Sequence, residues 1–165
     1  MSDQAIRALG PNDAPEILEI INAAAQRYRG AIPDDVWREP YMPAEDLARE
    51  MAAGVSFCGM EDEGRLVGVM GVQPVKDVDL IRHAYVRPQG QGRGVGGRLL
   101  KFLGDRTSRP ILIGTWAAAE WAIRFYEHHG FVRATATETP GLLRTYWNIP
   151  DRQIETSVVL TRGLR

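Results

Sequence analysis

The stretch His83-Ala-Tyr-Val-Arg-Pro-Gln-Gly-Gln-Gly-Arg-Gly-Val-Gly-Gly-Arg-Leu-Leu100 decides how the rest of the chain is read. An apolar strand ends near Val86, Pro88 breaks it, and five glycines follow between Gly90 and Gly97. Val95, Leu99, Leu100 and Leu103 then recur at helical spacing, so a helix begins inside the glycine run. Glycine permits positive φ there and lets a ligand approach the backbone with no Cβ in the way. The unpaired N–H groups of a helix's first turn, with the helix dipole, favour an anion at that point. Strand, glycine loop and helix together read as a cradle for a phosphate.

Spacing narrows the phosphate. A Walker loop needs Lys and then Ser or Thr after its last glycine, whereas Gly97 is followed by Arg98 and Leu99. The dinucleotide pattern G-x-G-x-x-G fits Gly92, Gly94 and Gly97, but it lies past mid-chain. No acidic residue ends the strand that follows, Ile111 to Thr115, where a ribose would need one.

The 165 residues suit a single domain, 1–165, with one substantial core. A net charge of −1 without a basic tract gives no reason to expect nucleic acid or an anionic membrane as partner. Cys58 is the only cysteine, so no intramolecular disulfide or cysteine-rich metal site forms, and it reads as a small buried hydrophobe. Three histidines without ligand spacing suggest no metal. The first residues lack a basic start and an apolar signal core, and no span approaches membrane length, so the expected compartment is the cytoplasm.

In chain order, Ala5 to Leu9 reads as a strand, ended by Gly10-Pro11. A helix follows, capped by Asn12 or Asp13, with Ile17, Ile20, Ile21, Ala24 and Ala25 as its buried stripe. Residues 28–43 combine aromatics with prolines and charges, and Ala44 to Ala53 restores a helix. Val55 to Met60 and Leu66 to Val72 form a hairpin across the acidic turn Glu61 to Arg65, and Val78 to Val86 is the next strand. Beyond the loop helix come a strand from Pro110 to Thr115 and a helix from Ala118 to His129 with Gly130 at its end. A strand from Phe131 to Thr137, an irregular excursion from Thr139 to Asp151, and a strand from Glu155 to Thr161 complete the chain. Runs of consecutive strands give an α+β order rather than a doubly wound sheet.

Gln91-x-x-Gly94-x-Gly96, preceded by Tyr85-Val86-x-Pro88, resembles the acyl-CoA pyrophosphate loop of the GNAT N-acetyltransferase family. Ala122-Ile-Arg-Phe-Tyr-Glu-His-His-Gly-Phe131 resembles the family's A-x-x-F-Y-x-x-x-G-F segment. The resemblance spans essentially the whole chain. It implies a mostly antiparallel twisted sheet, splayed between its fourth and fifth strands and flanked by about four helices. It also implies transfer of an acetyl group from acetyl-CoA to a primary amine, by direct attack in a ternary complex.

On that resemblance, the donor would lie against Ala84, Tyr85 and Val86 of the fourth strand, edge-paired through its pantetheine amides. Its pyrophosphate would meet the backbone of Gln91, Gly92, Arg93, Gly94, Val95, Gly96 and Gly97, with the Arg93 and Arg98 guanidiniums on outer phosphates. The Val86 N–H would polarise the thioester carbonyl. Tyr126 would face the sulfur as general acid, its phenol carrying the proton that a departing thiolate needs. The family often has an Asn where this chain has Ala119, which removes one polar contact to the pantetheine arm. Trp116 and Trp121 are placed to fill that gap by packing.

The amine must lose a proton before it attacks. Asp79, His83, His128, His129 and Glu155 are candidates, and His83 has the strongest claim by its place on the fourth strand and its imidazole chemistry. Acceptor selection in the family comes from the segment between the first two helices and from the final hairpin, here Tyr28 to Met42 and Leu142 to Trp147. Tyr28, Trp37, Tyr41 and Tyr146, with Trp147, make both segments aromatic and suit a small amine with a planar or apolar body. Arg29, Arg82 and Arg144 could hold a carboxylate on it, and Asp34 or Asp35 an ammonium. Acetylation of a protein lysine or N-terminus is the alternative acceptor reading, and a non-catalytic acyl-CoA-binding module is the alternative without catalysis. An exposed sheet edge leaves room for a homodimer.

Overall fold

The structure, a computed structural model, describes residues 4–164. They group into two compact units. The first holds residues up to 27 with 38–74 and 81–108, and the second holds 28–37, 75–80 and 109 onward.

In the first unit, β1 (Gln4–Ala8) pairs antiparallel with β2 (Ser56–Asp62), which pairs antiparallel with β3 (Arg65–Val75). Glu63 and Gly64 both have positive φ, 54° and 78°, which gives the β2–β3 hairpin the two-residue turn that matches strand twist. β4 (Val78–Val86) follows β3 in the sheet, and its residues from 81 on belong to this unit. α1 (Ala14–Ala25) lays all five stripe residues into the core, with Ile17, Ile20 and Ile21 fully buried. Each such isoleucine contributes about 1.5–3 kcal/mol. They meet Leu47 of α2 (Ala44–Ala52) and Phe57, Leu66 and Val69 of the sheet. Asp13 does not cap α1 with its side chain; its carboxylate accepts from Gly10 N–H at 2.9 Å and pairs with Arg7 at 2.8 Å. Asn22 fastens the chain before α2, accepting from Met42 N–H at 2.8 Å and donating to its carbonyl at 3.0 Å.

α3 (Val95–Gly104) closes the first unit and buries Val95, Leu99 and Leu100. It approaches β3 at Gly68, where an added Cβ would lie 2.7 Å from Val95 Cγ1 and 3.3 Å from Leu99 Cδ1. Any side chain at position 68 would push the first turn of α3 off the sheet.

In the second unit the start of β4 lies beside β5 (Ile111–Trp116), with Asp79 N–H donating to Pro110 O at 2.9 Å. Two strand beginnings side by side make a parallel pair, as a crossover through α3 requires. β7 (Ser157–Arg162) runs antiparallel to β5 on one side and to β6 (Val132–Arg133) on the other. The strand order is therefore β1-β2-β3-β4 in the first unit and β4-β5-β7-β6 in the second, with β4 common to both. α4 (Glu120–His128) ends at Gly130, whose φ of 88° supplies the left-handed stop expected of it.

The expected strand from Phe131 to Thr137 shrinks to Val132–Arg133, and the expected irregular excursion is two helices, α5 (Thr139–Tyr146) and α6 (Asp151–Glu155). There are thus six α-helices among the described residues rather than about four. The cause is local. Thr135 N–H donates to the Glu138 carboxylate at 3.0 Å and Glu138 N–H to the Thr135 hydroxyl at 3.1 Å, a reciprocal cap that turns the chain out of the strand. Leu142 to Trp147 is accordingly not a hairpin, and Glu155 ends a helix instead of opening the last strand. Leu143 and Ile154 bury these helices against Val78, Leu80, Leu112 and Val159.

Candidate active site

Gln91 to Gly94 form the exposed part of the loop, and Gly92 and Gly94 take φ of 80° and 77°. An added Cβ at either would meet nothing within 4 Å, so their left-handed conformation, and not crowding, requires glycine there. Gly94 is also the N-cap of α3 and offers no side chain to its first turn. Arg98 is the first residue after Gln91 whose N–H finds a backbone acceptor, Gly94 O at 3.1 Å. Among the described residues, the N–H groups from Gly92 to Gly97 have no acceptor. A run of unpaired donors at a helix N-terminus fits a pyrophosphate by number, direction and dipole. The side chains divide the remaining work. The Arg93 side chain is exposed and has no partner among the described residues, whereas Arg98 braces the loop by donating to Gln4 Oε1 at 2.6 Å and to Arg93 O and Gly94 O. Gln91 donates to Val86 O at 3.3 Å, folding the loop back on the strand that leads into it.

The end of β4 is set by Arg87, whose N–H bonds Val67 O at 2.8 Å. In an antiparallel pair, alternate residues turn their N–H and C=O to opposite sides, so Val86 directs its N–H away from β3. The Arg87 side chain is buried, donating to Leu66 O at 2.7 Å and pairing with Glu19 at 2.6 Å. Its Nη2 has no hydrogen bond among the described residues but pairs in charge with Glu16 at 3.6 Å. Exposed arginines are common in sequences, and nothing local marks this one as the anchor of the loop to α1.

His83 breaks the regularity of β4 with φ of 56°, a conformation few non-glycine residues adopt. Its imidazole stacks on Phe57, ring centroids 6.1 Å apart, and Nε2 lies 2.5 Å from Glu50 Oε1 on α2. Glu50 also pairs with Arg82 at 3.1 Å; Arg82 donates to Gln73 Oε1 at 3.0 Å, and Gln73 to Ala53 O at 3.2 Å. Burial pushes the Glu50 carboxyl up, but the hydrogen bond from His83 and the charges of His83, Arg82 and Arg38 outweigh it and hold the group below the usual carboxylate range. Glu50 escaped the sequence reading because its partner lies 33 residues away and no periodicity links them.

The other candidate bases lie on other elements or at the start of β4. Asp79 is buried against Arg109 at 3.4 Å, and Glu155 is exposed at the end of α6. His128 and His129 stand edge to face at the end of α4; burial, then the charges of His128 and Arg162, lower the His129 imidazole's pKa.

In the second unit Tyr126 is buried on α4 between Phe125 and Phe131, with centroids at 5.0 and 5.8 Å. Burial, with a smaller contribution from Tyr28, pushes its phenol well above the ordinary tyrosine value, so the hydroxyl stays protonated at neutral pH. That hydroxyl makes no hydrogen bond among the described residues. Ala119 is fully buried at the N-cap of α4 and supplies no side-chain cap, and Trp121 packs on Tyr28 at 5.2 Å.

The aromatic residues expected at the acceptor side fall into separate clusters. Tyr41 meets Tyr85 in the first unit, hydroxyls 3.3 Å apart. In the second unit Arg29 lies over the Trp37 ring, Tyr146 donates to Asp77 at 2.8 Å, and Trp147 covers Gly114. The charges proposed for an acceptor are also engaged, Asp35 with Arg152 at 3.1 Å and Arg144 with Asp151 at 3.9 Å. Among the described residues, no group of three or more His, Cys, Asp and Glu could hold a metal ion, and no helix is long and apolar enough to cross a membrane.

Residues 53–133, from the end of α2 to β6, match the family model described as an acetyltransferase (GNAT) domain. Comparison with the curated proteins finds no match. Among solved structures, the fold is shared with the ribosomal-protein-S18-alanine N-acetyltransferase of Escherichia coli at 19% identity and TM-score 0.70, covering 96% of this chain and 92% of that one. It is shared with the PaiA N-acetyltransferase of Thermoplasma acidophilum, solved with coenzyme A, at 14% identity and TM-score 0.72, covering 98% and 99%. A GNAT acetyltransferase of Brucella melitensis, solved with acetyl-CoA, matches at 23% identity and TM-score 0.57, covering 79% and 83%. Glycine loop, strand order and family match agree: residues 53–133 carry the match to a GNAT acetyltransferase domain.

Proposed function

We propose that the protein transfers the acetyl group of acetyl-CoA to the primary amine of a small molecule, by direct attack while both substrates are bound. The run of unpaired N–H groups from Gly92 to Gly97 at the start of α3 carries the reading of the donor. In this reading Gln91 to Gly97 bind the pyrophosphate, and Ala84, Tyr85 and Val86 pair with the pantetheine amides. The Val86 N–H, directed away from β3, polarises the thioester carbonyl. His83 takes the proton from the amine. The nitrogen then bonds to the acetyl carbon as the carbon–sulfur bond breaks, and Tyr126, whose hydroxyl is protonated at neutral pH, gives its proton to the departing thiolate.

The acceptor reading rests on aromatic content: Tyr28, Trp37, Tyr41 and Tyr146 favour an amine with a planar or apolar body. The E. coli neighbour acts on the alanine of a ribosomal protein by its name, so a protein N-terminus is the acceptor to test against small amines. Thiol release from acetyl-CoA, screened over small amines and an alanine-starting peptide, decides between them. Turnover with the peptide alone would replace the small-molecule reading. Binding of ATP with no binding of acetyl-CoA or CoA would remove the acetyltransferase reading altogether.

A further inference from the structure

We propose that Glu50 of α2 is a positioning residue for His83, fixing the imidazole proton on Nε2 so that Nδ1 is left as the acceptor for the amine's proton. The inference rests on the reading of His83 as base and adds to it a residue from a different element.

An ionised carboxylate only accepts hydrogen bonds. With Glu50 Oε1 2.5 Å from Nε2, that nitrogen carries the proton and the neutral ring keeps its lone pair on Nδ1. Nδ1 has no hydrogen-bond partner among the described residues. The His83 side chain is 12% exposed. Phe57 stacked on the ring and the left-handed backbone at residue 83 fix its plane.

The charge balance is as specific as the geometry. The groups acting on His83 are Glu50 from α2, Arg82 beside it on β4, and Arg38 through its effect on Glu50; Phe57 of β2 and Gln73 of β3 are neutral. Arg82 and Arg38 keep Glu50 ionised, and Gln73 ties Arg82 to the end of α2 through Ala53 O. Ionised Glu50 in turn stabilises the imidazolium that forms when Nδ1 takes a proton, which strengthens the base. A fastener between α2 and β4 would need none of this order: a guanidinium and an imidazole N–H on one carboxylate oxygen, and one imidazole nitrogen left open.

The wild-type protein gives the first test. Long-range 1H–15N spectra of 15N-labelled protein should show His83 protonated on Nε2 at neutral pH; a proton on Nδ1 would overturn the proposal. Glu50→Gln keeps an acceptor for Nε2–H and removes the charge. The acid limb of kcat/KM, measured with acetyl-CoA and benzylamine or the most active amine of the screen, should move to lower pH. Its plateau should fall about three- to tenfold, because the weakened base follows Brønsted behaviour. If Glu50→Gln leaves both the profile and its plateau unmoved, Glu50 is only a fastener. His83→Asn, which tolerates positive φ, tests the underlying reading separately: kcat should fall about 100-fold with the acetyl-CoA KM unchanged. An unchanged kcat there would remove the base itself. Loss in His83→Asn without a shift in Glu50→Gln would leave the base in place and overturn this proposal alone.

Discussion

The loop from Pro88 to Gly97 and the helices α5 and α6 are made of opposite materials. The loop presents main-chain N–H groups, two left-handed glycines and one unpartnered arginine, and few of its side chains are committed. In the second unit the polar side chains are spent on their own surroundings: Tyr146 on Asp77, Arg152 on Asp35, and Thr135 and Glu138 on each other. A backbone site needs particular dihedral angles, which glycine spacing records directly. A site built from side chains needs particular neighbours, and these depend on how distant segments pack.

The sharpest way to separate backbone from side-chain work is to change one residue of each in turn. Tyr126→Phe deletes the proposed proton donor and keeps its packing between Phe125 and Phe131. We expect kcat to fall about 100-fold with the acetyl-CoA KM nearly constant, read by thiol release. A full rate in that variant would leave Tyr126 as core and nothing more. Gly94→Val imposes a β-branched residue on a φ of 77° at the head of α3. The acetyl-CoA KM should rise more than tenfold while kcat is nearly kept. A lost kcat at unchanged KM would contradict the backbone cradle.

Gly68→Ala probes the platform under that cradle, because the new methyl would meet Val95 Cγ1. Overpacking of this kind costs about 1–3 kcal/mol in denaturant unfolding, and the acetyl-CoA KM should rise with it. Acid sensitivity comes next in size. Glu50 is held below its ordinary carboxylate value, so the stability it contributes is full above about pH 4.5 and is lost as pH falls through its folded pKa. The difference in Tm between wild type and Glu50→Gln should therefore be widest near neutrality and close on acidification. The smallest effect belongs to Tyr146→Phe: the melting temperature should hardly move, and a raised acceptor KM would transfer Tyr146 from packing to the amine site.

The same contrast explains what the chain disclosed in advance. α1 was legible because five apolar residues at helical spacing admit one buried face, and all five are buried. The loop was legible because Gly92 and Gly94 stand where positive φ is needed, and β4 runs from Val78 to Val86 as its apolar pattern requires. α5 was missed although Thr135-x-x-Glu138 is a helix-start signal, because the apolar run from Phe131 favoured a longer strand. The Glu50–His83 pair and the buried Arg87 had no local signal. Each is a contact between segments far apart in sequence, chosen by packing rather than by pattern.

Gly94 begins α3 without a side-chain cap. On the proposed reading, the donor's phosphates complete the helix that the sequence leaves uncapped, so donor concentration becomes a variable of folding as well as of rate. A ligand that binds only the folded chain adds about 2.7 kcal/mol at one hundred times its Kd. Acetyl-CoA and CoA share the pyrophosphate and should protect the chain against proteolysis to a similar degree, whichever of the two predominates. The lifetime of the protein would then follow the total coenzyme pool, while its turnover follows the acetylated fraction.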